Sequence, residues 1–276
     1  MLKYLVSFEW LNKHMNDKNV RVIDCRFELG SPMAGFEDYL KDHLPNAIYV
    51  DLEKDLSSCG QAHGGRHPLP NSNELISKLE GVGIDETMKV VVYDDQGGAM
   101  ASRLWWLLKY LGHNEVYVLN SSYSNWKKLN FETTVEIPTF AATKFHASIN
   151  EQMLSSMDEV KQALKDESTI LIDSREWVRF FGIEEPIDKV AGHIPTAKHY
   201  FWKELMDSNG KWRTVDFLKE RFQTLQVEQE IIVYCGSGVT ACPNVLALNS
   251  LGYQNVKLYA GSWSDWISYP DNTIGK

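Results

Sequence analysis

The apolar positions of this chain fall into short unbroken runs that alternate with longer stretches of helical periodicity. Lys89-Val90-Val91-Val92-Tyr93 and Glu230-Ile231-Ile232-Val233-Tyr234 are compact β-branched runs, which predict strands buried on both faces. Val22-Ile23-Asp24-Cys25-Arg26 and Leu171-Ile172-Asp173-Ser174-Arg175 each close an apolar run with Asp-x-Arg, the mark of a buried strand ending in a polar loop. The segment from Ala101 to Leu111 has helical length and an apolar face, and Val245 to Leu251 is its counterpart. Gly112 and Gly252 then suit helix C-termini. Two more short strands are expected at Glu115 to Leu119 and Asn255 to Tyr259. Strand and helix in alternation imply parallel α/β sheets, with chemistry in the loops beyond the carboxyl ends of the strands.

The pattern also repeats. The two Asp-x-Arg strands are followed by His43-Leu44-Pro45-Asn46-Ala47 and His193-Ile194-Pro195-Thr196-Ala197. Val91-Val92-Tyr93-Asp94 answers Ile232-Val233-Tyr234-Cys235, Leu111-Gly112-His113 answers Leu251-Gly252-Tyr253, and Asn125-Trp126 answers Asp265-Trp266. Five landmarks recur in one order at offsets of about 140 to 150 residues, which points to a duplication. Periodicity lapses between Thr133 and Ser148, around Pro138, so the expected domains are 1–138 and 146–276. His43 and His193, Asp24 and Asp173, and Arg26 and Arg175 occur in both halves and are read as structural.

Composition narrows the function classes. The 276 residues are 43% hydrophobic and 24% charged, as in ordinary globular chains, and the nine tryptophans are read as core. A net charge of −9 argues against a broad nucleic-acid or anionic-membrane surface. No apolar stretch approaches the length of a spanning helix, and the start lacks a secretory pattern, so a cytoplasmic protein is expected. Cys25, Cys59, Cys235 and Cys242 form no CxxC pair and no metal-ligand spacing, and are expected to be thiols.

Cys235 stands directly after a strand and before a helix, in Cys235-Gly236-Ser237-Gly238-Val239-Thr240-Ala241. A glycine-rich turn there lets backbone N–H groups converge at the positive end of the helix, and Pro243 is tolerated in its first turn. The chemistry needs such help. A free thiol is only a few per cent ionised at neutral pH, and a two-unit depression takes about 2.7 kcal/mol. A helix dipole supplies about 0.3–1 kcal/mol, so hydrogen bonds to sulfur must supply most of the rest. The thiol must also be reachable. Cys242, seven residues on and thus about two helical turns away, is read as packing.

This loop resembles the active loop of 3-mercaptopyruvate sulfurtransferases, and the duplicated elements resemble tandem rhodanese domains over nearly the whole chain. The resemblance implies an α/β protein of two rhodanese-like domains, each a mainly parallel sheet flanked by helices. It implies a silent N-terminal copy, where Asp94 stands in the place of Cys235, and a catalytic C-terminal copy. Sulfur would move from 3-mercaptopyruvate, or less favourably thiosulfate, through a Cys235 persulfide to cyanide or a thiol such as thioredoxin, with no cofactor or metal. The neutral Gly236, Ser237 and Gly238 favour mercaptopyruvate, because thiosulfate-specific members carry cations there. Gly236, Gly238, Val239 and Thr240 would cradle the transferred sulfur. Arg179 matches the arginine that grips the donor anion. A second arginine expected nine residues later is replaced by Asp188, leaving Lys189, or Arg66 from the other domain, as candidate stand-ins. His67 and Ser237, with an acid at Glu53 by register or at Asp51, resemble a proton relay; the departing enolate must gain a proton.

Two rivals remain. A cysteine phosphatase needs Cys-x5-Arg to clamp phosphoryl oxygens, and the sixth residue after Cys235 is Ala241. A sulfur carrier without turnover would need no intact donor site.

Overall fold

The computed structural model describes residues 1–276. Strands β1 (Leu5–Val6), β2 (Val20–Asp24), β3 (Ala47–Tyr49), β4 (Lys89–Tyr93) and β5 (Val116–Leu119) form one sheet in the order β1-β5-β4-β2-β3. Strands β6 (Thr169–Asp173), β7 (Lys198–His199), β8 (Glu230–Tyr234) and β9 (Val256–Leu258) form a second, in the order β7-β6-β8-β9. Every pairing within both sheets is parallel. Apart from the edge strand β1, the second sheet repeats the order of the first, as the duplicated landmarks predict. The short β1, β3 and β7 carry too few residues to show a period in the sequence. No helix is long and apolar enough to cross a membrane.

The recurrent polar residues are scaffold in both halves. Asp24 takes a side-chain hydrogen bond from Arg26 at 2.6 Å, and Asp173 takes one from Arg175 at 2.6 Å. Each arginine also donates to a main-chain carbonyl, of Asp42 or of Gly192. Each guanidinium faces an aromatic ring, Tyr123 at 4.1 Å or Trp263 at 4.6 Å. The phenol oxygens of Tyr93 and Tyr234 accept from the N–H of Leu44 and Ile194 in the two His-x-Pro loops. His43 and His193 each bond through Nδ1 to a backbone carbonyl, that of Tyr39 or Phe180. These Asp-x-Arg charges are thus paired inside each repeat, which offsets their desolvation.

The two halves are joined by apolar packing. The Ala99–Tyr110 helix of the first packs on the Cys242–Leu251 helix of the second. One continuous core contains Leu104, Trp105 and Leu108 from the former with Val245, Leu246 and Leu248 from the latter. Both helices start a few residues before their apolar periodicity becomes evident, at Ala99 and Cys242. Pro243 sits in the first turn, where its missing N–H costs nothing.

Candidate active site

The Cys235–Ala241 loop leaves the end of β8 and feeds the N-terminus of the Cys242–Leu251 helix. A turn over residues 260–264 holds it. The Cys235 N–H donates to Ser262 Oγ at 3.1 Å, and the N–H groups of Trp263 and Ser264 donate to the carbonyls of Cys235 and Gly236, each at 3.0 Å. Gly238 has φ +77°, and a side chain there would run into the Ala260 carbonyl. The position therefore requires glycine on two grounds. The Gly238 N–H donates to Cys235 Sγ at 3.2 Å. The N–H groups of Gly236, Ser237, Val239, Thr240 and Ala241 have no acceptor within the protein.

Cys242 corrects the sequence-based distance. The intervening residues form a loop that folds back on itself, so two helical turns do not separate the cysteines. The Cys242 thiol donates to the Gly238 carbonyl at 3.4 Å, directly beneath the loop. Burial pushes this thiol up to about 12, which keeps it protonated as packing. Cys25 is likewise buried and pushed up, while Cys59 is exposed.

Across the junction, His67 Nδ1 lies 2.8 Å from Ser237 Oγ. His67 is 8% exposed. Burial, then the nearby charges of Arg103 and Arg66, lower its pKa to about 4, so the ring is neutral at pH 7. Arg103 was not foreseen. Its guanidinium is fully buried and donates to the carbonyls of Gly238 and His67, each at 3.1 Å. It has no carboxylate partner among its bonds, and ties the cysteine loop to the histidine loop through main-chain oxygens. The available signal was a lone arginine amid Ala101-Ser102-Arg103-Leu104-Trp105-Trp106. A cation in such an apolar face needs a buried partner.

Arg179 and Arg66 both reach Gly236. Arg66 Nη2 lies 2.9 Å, and Arg179 Nη2 3.5 Å, from the point a Gly236 side chain would occupy. A larger residue there would displace the guanidinium pair. Asp188 stands between the two arginines: it forms an ion pair with Arg66 and accepts from Arg179 at 3.0 Å. Glu185 also holds Arg179, at 2.9 Å, and receives the N–H of Asp188. Lys189 is exposed and forms no ion pair. An open cleft of about 800 Å³ runs above, lined by Arg66, His67, Asp188, Lys189 and Glu53. Cys235 does not line it and is 1% exposed. The reachable thiol expected from sequence is therefore covered here. Arg66, whose side chain is 31% exposed, lies over the loop at Gly236.

The relay acid divides between two placements. Asp51 is 3% exposed; its Oδ1 accepts the N–H groups of Glu53 and Lys54, both at 2.9 Å, and its Oδ2 accepts the Tyr49 hydroxyl at 3.2 Å. Glu53 is exposed on the cleft, with no hydrogen bond to His67. In the first half, the equivalent loop surrounds Asp94. Its carboxylate accepts from the N–H groups of Gln96, Gly98, Met100 and Ala101 at 2.8 to 3.0 Å.

Two parallel sheets of matching order, with a cysteine cradled beyond one and a carboxylate beyond the other, define a two-domain rhodanese. The Rhodanese-like domain model matches residues 7–129 and 156–269. A "Probable 3-mercaptopyruvate sulfurtransferase" of Pseudomonas aeruginosa is 38% identical over 98% of this chain and 97% of its own. A thiosulfate sulfurtransferase of Rattus norvegicus is 30% identical over 97% and 93%. The crystal structure of SseA from Escherichia coli, a 3-mercaptopyruvate enzyme with the rhodanese fold, superposes with a TM-score of 0.82 at 29% identity, covering 95% of this chain and 99% of that one. The chain belongs to the rhodanese family and is a sulfurtransferase.

Proposed function

We propose that residues 146–276 form the catalytic domain and 1–138 the silent one, and that 3-mercaptopyruvate is the preferred donor. The observation that carries the donor assignment is the His67–Ser237 pair at 2.8 Å beside the cysteine loop. Mercaptopyruvate gives up sulfur from carbon, so the methylene carbon must take a proton. Thiosulfate releases sulfite, which needs none. A neutral imidazole and a hydroxyl suit the first reaction and add nothing to the second.

In this reading Arg179 and Arg66 hold the donor carboxylate, and the Cys235 thiolate attacks the donor sulfur. The carbon–sulfur bond breaks, its electron pair stays on the methylene carbon, and the former thiol proton reaches that carbon through Ser237 and His67. Pyruvate leaves and Cys235 carries a persulfide anion. The loop N–H groups that lack a protein acceptor receive its outer sulfur. A nucleophile such as cyanide, a small thiol or reduced thioredoxin then takes that sulfur and restores the thiolate. Glu53 would assist the relay from the cleft wall. All four cysteines are unpaired thiols, which suits a reducing cytoplasm.

Intact-mass measurement after incubation with mercaptopyruvate should show one added sulfur, about 32 Da, on the Cys235 peptide. Comparison of kcat/KM for the two donors with one acceptor then tests the preference. A larger value for thiosulfate overturns the donor assignment. A persulfide that forms but passes to no acceptor establishes a carrier instead.

A further inference from the structure

The two guanidinium groups over the cysteine loop are already occupied by a carboxylate of the chain. Asp188 is 5% exposed and lies between Arg66 and Arg179, whose side chains are 31% and 12% exposed. The cleft is lined by Arg66, His67 and Asp188, while the covered Cys235 lies beyond them. Arg66, Arg179, Glu185 and Asp188 together carry two positive and two negative charges, so the guanidinium pair over the loop is matched as it stands, with Lys189 an unpaired cation farther out on the cleft wall. The loop beneath, Gly236-Ser237-Gly238, adds no side-chain charge.

We infer that Asp188 is a resident competitor for the donor's anionic group and sets the charge selectivity of the site. A donor reaches Cys235 by exchanging its own carboxylate for that of Asp188 on Arg66 and Arg179. A monoanion replaces the Asp188 contact charge for charge. A dianion brings a second negative charge to a guanidinium pair that has none to spare, and Glu185 remains bound to Arg179 to repel it. Asp188 thereby favours mercaptopyruvate over thiosulfate through repulsion as well as attraction. The inference rests on the reading that Arg179 and Arg66 bind the donor.

Asp188→Asn removes one negative charge and keeps the shape. We expect its KM for mercaptopyruvate to fall about three- to tenfold with kcat little changed. The gain in kcat/KM for thiosulfate should be larger, with a logarithm about twice that for mercaptopyruvate, because a dianion feels the removed charge twice over. A readout independent of turnover is alkylation of Cys235, followed on its own peptide because Cys59 is exposed. The ratio of the iodoacetate rate to the neutral iodoacetamide rate should rise in Asp188→Asn. Equal gains for the two donors, unchanged KM values or an unchanged alkylation ratio overturn the inference. Arg179→Gln separates the two readings: if it leaves KM for mercaptopyruvate unchanged, the donor site itself is misplaced, whatever Asp188 does.

Discussion

The loops after β4 and β8 are two versions of one device. Each follows a buried strand, opens toward a helix N-terminus and gathers backbone N–H groups. After β4, four of them close on the Asp94 carboxylate, an anion that never leaves. After β8, one N–H bonds Cys235 Sγ, and five others in the loop have no protein acceptor. A cradle filled by its own side chain is structural. A cradle with spare donors around a nucleophile can receive an anionic sulfur that comes and goes. In the proposed reading, the difference between the halves turns on which residue sits at the end of the strand, and on what the opposite domain brings to it.

The strongest test of that contrast is Cys235→Ser, which should reduce pyruvate formation by at least about a thousandfold with folding intact. In that background, Asp94→Cys should acquire no persulfide from mercaptopyruvate by intact mass, because no His67–Ser237 pair or Arg179 faces the first loop. Persulfide at position 94 would mean that the cradle alone suffices. Next in size, Asp94→Ala in the otherwise native chain should lower unfolding free energy by about 3 kcal/mol in urea titration, since it strands buried N–H groups. The folded fraction should still form the Cys235 persulfide.

His67→Gln should lower kcat with mercaptopyruvate by about a hundredfold while sparing thiosulfate turnover. The same residue makes a signed pH prediction. Between its ordinary value of 6.5 and its folded value of about 4, the unfolded chain holds a proton on this ring that the folded chain lacks. Stability from His67 is therefore present above pH 6.5 and lost as pH falls through the window, by up to about 3 kcal/mol. His67→Gln should flatten that slope in denaturant titrations at several pH values. The smallest effect is expected at Arg103. Arg103→Met should lower kcat about tenfold and raise the His67 pKa read by NMR, because the methionine keeps volume but removes the charge and both carbonyl ties.

Local features were legible in the sequence because they are written in consecutive residues. The β-branched runs, the Asp-x-Arg closures and the glycine turn after Cys235 are each set by residue types that stand side by side, so pattern and structure agree. What escaped depends on chain segments far apart. Arg103 meets Gly238 only because two helices from different halves pack together. The charge at Asp188 was noticed as a departure, but its partnership with Arg66 spans the junction and leaves no trace in spacing. A helical rise does not hold between Cys235 and Cys242, because the loop between them doubles back. Register favours Glu53 as the relay acid and residue type favours Asp51; only the folded turn shows that Asp51 Oδ1 is taken by main-chain N–H groups and Oδ2 by the Tyr49 hydroxyl.

The apolar seam between the Ala99–Tyr110 and Cys242–Leu251 helices limits how this protein can be dissected. Cutting the halves apart would strip solvent protection from Leu246, Val245 and their neighbours, and leave the excised half with an oily wall. The first half thus serves the second as a permanent chaperone, whatever chemistry each half performs.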